Sequence, residues 1–322
     1  VSDVQGILAK TVGVTVRSSG GVGSASRLSV RGLEGKRIGF FIDEAPMNDQ
    51  SDFIDLNDIP VDMIDRIEIY KGVVPAKFGG SSMGGAVNID NKSHFGDGFK
   101  LDVKKTYGSF NTLGSYYTVG YYGKQVSLRV KTYRTSSEND FEYLNLATIP
   151  PRRMKQRNAD YVQYGVMPEV SFLLKNSVLS VSSWNQWNDR NLPQIMPNVG
   201  NVNTEEWTKD NFSRNFVSFK TFWSTGNLQL KSAAFVENQR YFLETRNPVT
   251  HGVVTFINSD NHALVLHQIA NVEQQLYKSW TLKGKLQWDN ERVRSNNSEG
   301  LKRRNVVSAY LAVTGDPFRY AN

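Results

Sequence analysis

Residues 125–134 read QVSLRVKTYR. Val126, Leu128 and Val130 share one side of an extended chain, and Gln125, Ser127, Arg129 and Lys131 share the other, because side chains alternate with period two along a strand. The same pattern runs through TLKGKLQWD (281–289), where Leu282, Leu286 and Trp288 oppose Lys283, Lys285, Gln287 and Asp289. In NLQLKSAAFVE (227–237), Leu228, Leu230, Ala234 and Val236 oppose Gln229, Lys231 and Glu237, with Phe235 an exception on the polar side. A soluble half-exposed sheet alternates in this way, and so does a membrane barrel with an apolar outside and a polar lumen.

Working outward, about ten such segments follow one another: near 99–108, 111–122, 125–136, 160–174, 177–188, 213–224, 227–242, 261–276, 280–291 and 304–314. Their connections are of two kinds that alternate along the chain. Tyr122-Gly123-Lys124, Lys175-Asn176-Ser177, Thr225-Gly226-Asn227 and Tyr277-Lys278-Ser279 are tight, whereas 137–158, 189–212, 243–260 and 292–303 are long and polar. An up-and-down antiparallel sheet with two unlike ends is the plan of outer-membrane barrels, with short periplasmic turns and long outer loops. Most segments exceed the roughly 9–11 residues that cross a bilayer, where globular strands average about 5–6. Trp223 and Trp280 lie near tight turns and Trp184, Trp187 and Trp288 toward the long loops, as two aromatic girdles require. The rival class is a soluble all-β module that binds a ligand or glycan with its aromatics.

The 322 residues contain no cysteine and carry a net charge of +7. Disulfide scaffolds and thiolate metal sites are thereby excluded, and the charge favours an anionic partner. No apolar run reaches the roughly 20 residues of a membrane helix, and the opening VSDVQGILAK is no signal peptide. A start at Val1 and an end without tail character read as a segment of something longer.

Residues 1–92 differ from the rest. SDVQGILAK suggests a short helix capped by Ser2. GVTVR (13–17), LSVRG (28–32), IGFFIDEAPM (38–47), RIEIYKG (66–72) and GAVNI (85–89) read as short strands, with a helical turn inside 54–65. The fold class is therefore mainly β: a mixed α/β unit over 1–92, a linker over 93–98, and antiparallel barrel strands over 99–322. Ten strands enclose too little space for a unit of this size, since small barrels are filled by their own side chains. Either residues 1–92 do not fill the lumen, or the chain is the first part of a longer protein whose barrel is nearer 22 strands.

Enzymatic signatures are lacking. AKFGGSSMGGAVNI (76–89) is glycine-rich but has no Lys-Ser/Thr after its second glycine pair, so it is no phosphate loop. GVGSAS (21–26) has Ser26 where a dinucleotide fingerprint needs glycine. The four histidines (94, 251, 262 and 267) lack zinc spacing, and His262 and His267 fall on opposite faces of one strand. No catalytic residue, metal site, cofactor or nucleic-acid surface is assigned. The basic run PPRRMKQR (150–157) lies in an outer loop. Its Arg152, Arg153, Lys155 and Arg157 suit an anionic ligand or lipopolysaccharide phosphates.

Four ordered pieces carry a family resemblance: Arg31-Gly32 after a strand, Asp43…Pro46, Ile67-Glu68-Ile69 before Lys71-Gly72, and Phe78-Gly79…Gly84-Gly85-Ala86-Val87-Asn88-Ile89. Over residues 3–92 the chain resembles the plug domain of TonB-dependent outer-membrane receptors, and 97–322 resembles the first strands of their barrel. It departs from the family pattern at Val73, where proline is usual, and at Glu44, where glycine is common. Neither the TonB box nor the later barrel strands are in the chain.

The resemblance implies a non-enzymatic importer in the bacterial outer membrane. Its partners would be TonB with the inner-membrane energising complex, an external small ligand such as a ferric siderophore, and outer-membrane lipid or lipopolysaccharide. Within it, Arg31, Arg66, Glu68 and Lys71 are expected to make polar contacts between plug and barrel, with Glu237 or Asp289 among their partners. Gly79, Gly80, Gly84 and Gly85 are expected to form a hinge where the last plug strand meets the wall. The turns at 18–26 and 47–53, with Ser18, Ser19, Gly20, Gly21, Asn48, Asp49 and Gln50, are expected to face the ligand.

Overall fold

The computed structural model describes residues 8, 10–18, 22–24, 26–34, 37–47, 59–72, 74–78, 84–91, 94–146, 148–193, 203–247, 249–277 and 279–315. The first strands form a small antiparallel sheet of β1 (Val14–Ser18), β2 (Ser26–Val30) and β3 (Leu33–Glu34). A second sheet contains β4 (Ile38–Ile42), β5 (Ala45–Pro46), β6 (Arg66–Tyr70) and β7 (Gly85–Asp90) in the order β5-β4-β7-β6, with β4 and β7 parallel. Asp43 and Glu44 join β4 to β5 with φ of 47° and 68°, the left-handed pair of a two-residue hairpin turn. The helical turn expected within 54–65 is a 3-10 turn at Val61–Met63. The helix expected at the N-terminus falls largely outside the described residues.

The remaining strands build one ten-stranded antiparallel sheet. It begins with β8 (Gly98–Gly108), β9 (Thr112–Tyr122) and β10 (Val126–Ser137). A side hairpin, β11 (Glu142–Asn145) and β12 (Arg152–Lys155), stands apart from it. The sheet continues through β13 (Tyr161–Leu174), β14 (Ser177–Asn191), β15 (Asn203–Trp223), β16 (Gly226–Arg246), β17 (Val253–Tyr277), β18 (Trp280–Ser295) and β19 (Leu301–Thr314). All ten expected strands are present. The strands run further than alternation alone suggested: β16 and β17 leave only 247–252 between them, and β18 and β19 only 296–300. The expected loops 243–260 and 292–303 are mostly ladder, because cross-strand pairing continues into polar sequence beyond the apolar stretch.

Exposure of the two faces is inverted relative to a soluble sheet. Leu230 is 46% exposed and Leu286 is 56% exposed, while Lys231 and Lys285 are 6% and 8% exposed. Phe99, Leu101, Val103, Val119, Leu128, Val181, Val217 and Val307 are likewise exposed, and Arg129, Lys131, Gln186, Arg214, His267 and Gln287 are buried. An apolar outer face is stable only against hydrocarbon. No helix among the described residues is long and apolar enough to cross a membrane; here strands present the apolar band.

The buried face carries the N-terminal unit. One apolar cluster joins Leu28, Val30, Ile38, Ile42, Val87 and Ile89 of that unit to Trp184, Phe212, Phe216, Phe235, Val265 and Ile269 of the wall. Phe235, the exception to the alternation, is fully buried there. Trp184 is corrected from girdle to core for the same reason, at 4% exposure. Trp187, Trp223, Trp280 and Trp288 stay partly exposed on the outer face.

Candidate functional site

The plug meets the wall through a set of ion pairs that alternation places on the inner face. Arg129 and Lys131 of β10 project inward two residues apart and grip Asp65, just before β6, at 2.8 and 2.9 Å. Arg129 also pairs with Glu169 of β13 at 2.7 Å, and Lys131 donates to the Met63 carbonyl at 2.7 Å. Burial pushes the Asp65 carboxyl up, but Lys131 and Arg129 outweigh it and hold the group below the ordinary carboxylate range. Lys104 of β8 reaches Asp62 at 2.7 Å. On the far side, Lys285 of β18 donates to the Lys77 carbonyl at 2.5 Å.

The residues expected to make these bridges bond within the plug instead. Arg66 pairs with Glu68 and with Asp90, the latter at 2.7 Å. Glu68 accepts from Tyr70 and Asn88, and Lys71 donates to the Val12 carbonyl. The Arg31 guanidinium lies over Gly72. The reason is local: β6 pairs with β7, which brings Arg66 opposite Asp90 and Glu68 opposite Asn88. The proposed wall partners are also engaged elsewhere, Glu237 with Arg214 at 2.8 Å and Asp289 with His267 at 2.7 Å. Sequence reading missed Asp62, Asp65, Lys104, Arg129 and Lys131. The inward-facing cations of β8 and β10 were the available signal.

Gly84 and Gly85 pack inside the plug, not against the wall. A Cβ on Gly84 would lie 2.9 Å from Leu33 Cβ and 3.0 Å from the Arg37 carbonyl. Gly85 has φ +146°, with the Tyr70 carbonyl 2.7 Å from its would-be Cβ. These glycines seam the two plug sheets together, which corrects the expected contact with the barrel. Gly79 and Gly80 lie outside the described residues.

At the long-loop end, the turn at 22–24 docks onto the wall. Val22 N–H donates to Asn139 Oδ1 at 3.1 Å, and Asn139 Nδ2 returns a bond to the Val22 carbonyl at 2.8 Å. Gly23, at φ +79°, sits so close to the Tyr161 ring that a Cβ would be 2.3 Å from it. Ser18 ends β1; Ser19, Gly20, Gly21, Asn48, Asp49 and Gln50 lie outside the described residues. Arg152, Arg153 and Lys155 are exposed on β12, with Lys155 held by Asp140 at 2.8 Å; Arg157 is also exposed.

Between plug and wall lies a polar cavity of about 480 Å³. Asp43, Glu68, Asn88 and Asp90 line its plug side, and Ser180, Ser182, Ser218, Lys220 and Lys231 its wall side. Small hydroxyl side chains leave the gap that the aromatic cluster fills higher up. Burial pushes the Asp43 carboxyl up to about 6, against the lowering effect of Lys231 and the Asn91 N–H. Among the described residues no group of three or more His, Asp or Glu is placed to hold a metal ion.

Comparisons with known proteins fit this geometry. Residues 1–86 match the family described as TonB-dependent Receptor Plug Domain. The vitamin B12 transporter BtuB of Vibrio vulnificus is 31% identical over 83 residues, which is 26% of this chain and 14% of that protein. The ferric yersiniabactin uptake receptor FyuA from Yersinia pestis superposes with a TM-score of 0.61 at 10% identity, over 96% of this chain and 58% of its own. The siderophore receptor PirA from Acinetobacter baumannii gives a TM-score of 0.68 at 14% identity, over 96% and 51%. The chain thus spans little more than half the length of these solved receptors, and at such identities the likeness is one of fold.

Proposed function

We infer that this chain, which belongs to the TonB-dependent receptors of the outer membrane as a plug with part of its barrel, serves energised import of a scarce ligand into the periplasm. One observation carries the reading: a folded unit is latched by ion pairs to the polar inner face of a sheet whose outer face suits lipid. That arrangement is a closed gate. In this reading the chain divides into plug (1–92), linker (93–98) and barrel (99–322).

In this reading the ligand arrives at the long-loop end. It meets the plug turns near 18–26 and 47–53 and the basic hairpin bearing Arg152, Arg153 and Lys155. A ferric siderophore or a ligand of similar size suits the anionic preference of that hairpin, and relatives described as siderophore receptors and as a vitamin B12 transporter support the class. TonB and its inner-membrane complex supply the pull, and the hydroxyl-lined cavity beside β14–β16 offers the least obstructed way past the plug. The protein performs no chemistry on its cargo. The exposed apolar face of the sheet counts against the soluble glycan-binding alternative.

The test is uptake of labelled ferric siderophores and cobalamin by cells carrying or lacking the full-length gene, each with and without TonB. Uptake is expected only with both present. Recovery of the full-length product as a soluble monomer, or gene-dependent uptake that persists without TonB, would refute the reading.

A further inference from the structure

We propose that the cavity between plug and wall binds a free small oxyanion of the sulfate or phosphate class, held by Lys231, Lys220 and the serine hydroxyls of β14 and β15. The occupant is distinct from the imported cargo. The site begins with the register of the wall. Ser127 of β10 lies opposite Ser171 of β13, Ser171 opposite Ser180 of β14, Ser180 opposite Ser218 of β15, and Ser218 opposite Lys231 of β16. Four hydroxyls thus run in one inward row across the sheet and end at an ammonium group. Ser182, the next inward position along β14, adds another hydroxyl to the cavity. β14, β15 and β16 are each paired on both sides, so this part of the wall is complete.

The charges lining the cavity do not cancel. Arg66 takes Glu68 and Asp90, Lys77 takes Glu44, and Arg129 takes Glu169. Lys231 lines the cavity at 6% exposure, yet among the described residues it makes no hydrogen bond and has no carboxylate within 4.0 Å. Lys220 also lacks a carboxylate partner among them, and its ammonium lies 5.2 Å from the Phe222 ring centroid. The remaining carboxylate of the lining, Asp43, already accepts the Asn91 N–H at 2.8 Å. A buried ammonium without a partner is costly. An oxyanion seated between it and the hydroxyls supplies the missing charge and the missing acceptors together.

Position and size identify the occupant. Lys220 stands near the end of β15 and Lys231 near the start of β16, so the site lies in the tight-turn half of the wall. Toward the long loops, Trp184, Phe216 and Phe235 pack against the plug and cover it while the gate is closed. The anion therefore enters from the periplasm; this side of entry rests on the import reading, whereas the site itself does not. About 480 Å³ holds one tetrahedral anion with several waters, at about 30 Å³ a water. Asp43 makes the binding pH-dependent. It faces Lys231 of β16, Asp90 of β7 and Glu169 of β13, with Arg129 and Lys131 of β10 in the adjoining pocket. Burial raises its carboxyl to about 6. Below that pH it is neutral and can donate to the anion, and above it its own charge repels one.

The experiment uses the full-length receptor, purified in detergent without cargo, and labelled sulfate, which keeps its charge between pH 5 and pH 8. Equilibrium dialysis counts the bound sulfate, and protease resistance reports an intact plug. Wild type should bind one sulfate, about tenfold more tightly at pH 5 than at pH 8. Lys231→Met should weaken binding at pH 5 by about tenfold or more while the plug stays resistant. Lys175→Gln, exposed in a tight turn, should match wild type. Asp43→Asn should bind at pH 8 as tightly as wild type does at pH 5. Ser182→Ala/Ser218→Ala keeps both ammonium groups and should also bind more weakly; it decides the matter should the Lys231 variant fail to fold. Absence of sulfate from the cargo-free receptor, or binding that appears only with a ferric siderophore loaded, would overturn the proposal. So would undiminished binding by the folded Lys231 or serine variant, binding equal at the two pH values, or an Asp43→Asn variant that still loses sulfate at pH 8.

Discussion

Asp43 shows how one residue can work against the fold that holds it. It occupies the first left-handed position of the β4–β5 turn and accepts the Asn91 N–H at 2.8 Å. Burial raises its carboxyl from 3.8 to about 6. A raised carboxyl binds its proton more tightly folded than unfolded, so its contribution is intact below pH 4 and is lost as pH rises from about 4 through 6. Asn tolerates the left-handed backbone and can accept the same bond without charge. Asp43→Asn should therefore stabilise the detergent-solubilised protein at pH 8, by up to about 3 kcal/mol, and leave it unchanged at pH 4; equal melting shifts at both pH values would disprove this. Gly85 is the opposite case, a residue whose lack of a side chain holds the fold together. Gly85→Val would set a Cβ against the Tyr70 carbonyl and force a disfavoured φ, a cost of about 3 kcal/mol. A melting temperature equal to wild type would contradict that account.

At the scale of elements, β10 clasps the plug. Arg129 and Lys131 are both nearly buried, and Asp65 is the carboxylate they share. Asp65→Asn strands two buried cations with less compensation and should loosen the plug by about 3 kcal/mol. The readout is leakage of a large hydrophilic antibiotic into cells expressing the full-length variant. Adding Lys131→Met should recover part of the loss, since one cation no longer needs a partner; a double variant leakier than the single one would exclude the clasp. Much of this wall was legible beforehand. Alternation in QVSLRVKTYR placed Arg129 and Lys131 inward and Leu128 outward, and all ten strands lie where periodicity put them. What could not be read was partner choice. Arg66 finds Asp90 because β6 and β7 pair, and no local pattern announces a register between residues 24 apart. Trp184 reads as a girdle residue, and Phe235 as an exception to the alternation, for a related reason. An aromatic on the polar face looks like an error until a second unit is known to cover it.

For the molecule as a whole, the question is whether plug and wall unfold as one unit or two. Polar latches alone would allow a plug that detaches while the wall stands. The apolar cluster argues otherwise, since Val30, Ile42 and Val87 of the plug share it with Trp184, Phe216 and Phe235 of the wall. Arg214 lies 4.0 Å above the Phe212 ring and pairs with Glu237, which stiffens that patch from behind. The contact is therefore part core and part clasp, with the wet cavity beside β14–β16 as its weak sector. Phe235→Ala removes the largest fully buried side chain at this contact, and such truncations cost about 3–5 kcal/mol. In the full-length receptor the variant should lower the plug and barrel transitions together, with protease cleavage of the plug rising at the same temperature as loss of the heat-resistant barrel band. A plug that became protease-sensitive while the barrel transition stayed at its wild-type temperature would mean two independent units. The mechanism would then need only the latches broken, and not the aromatic contact, for cargo to pass.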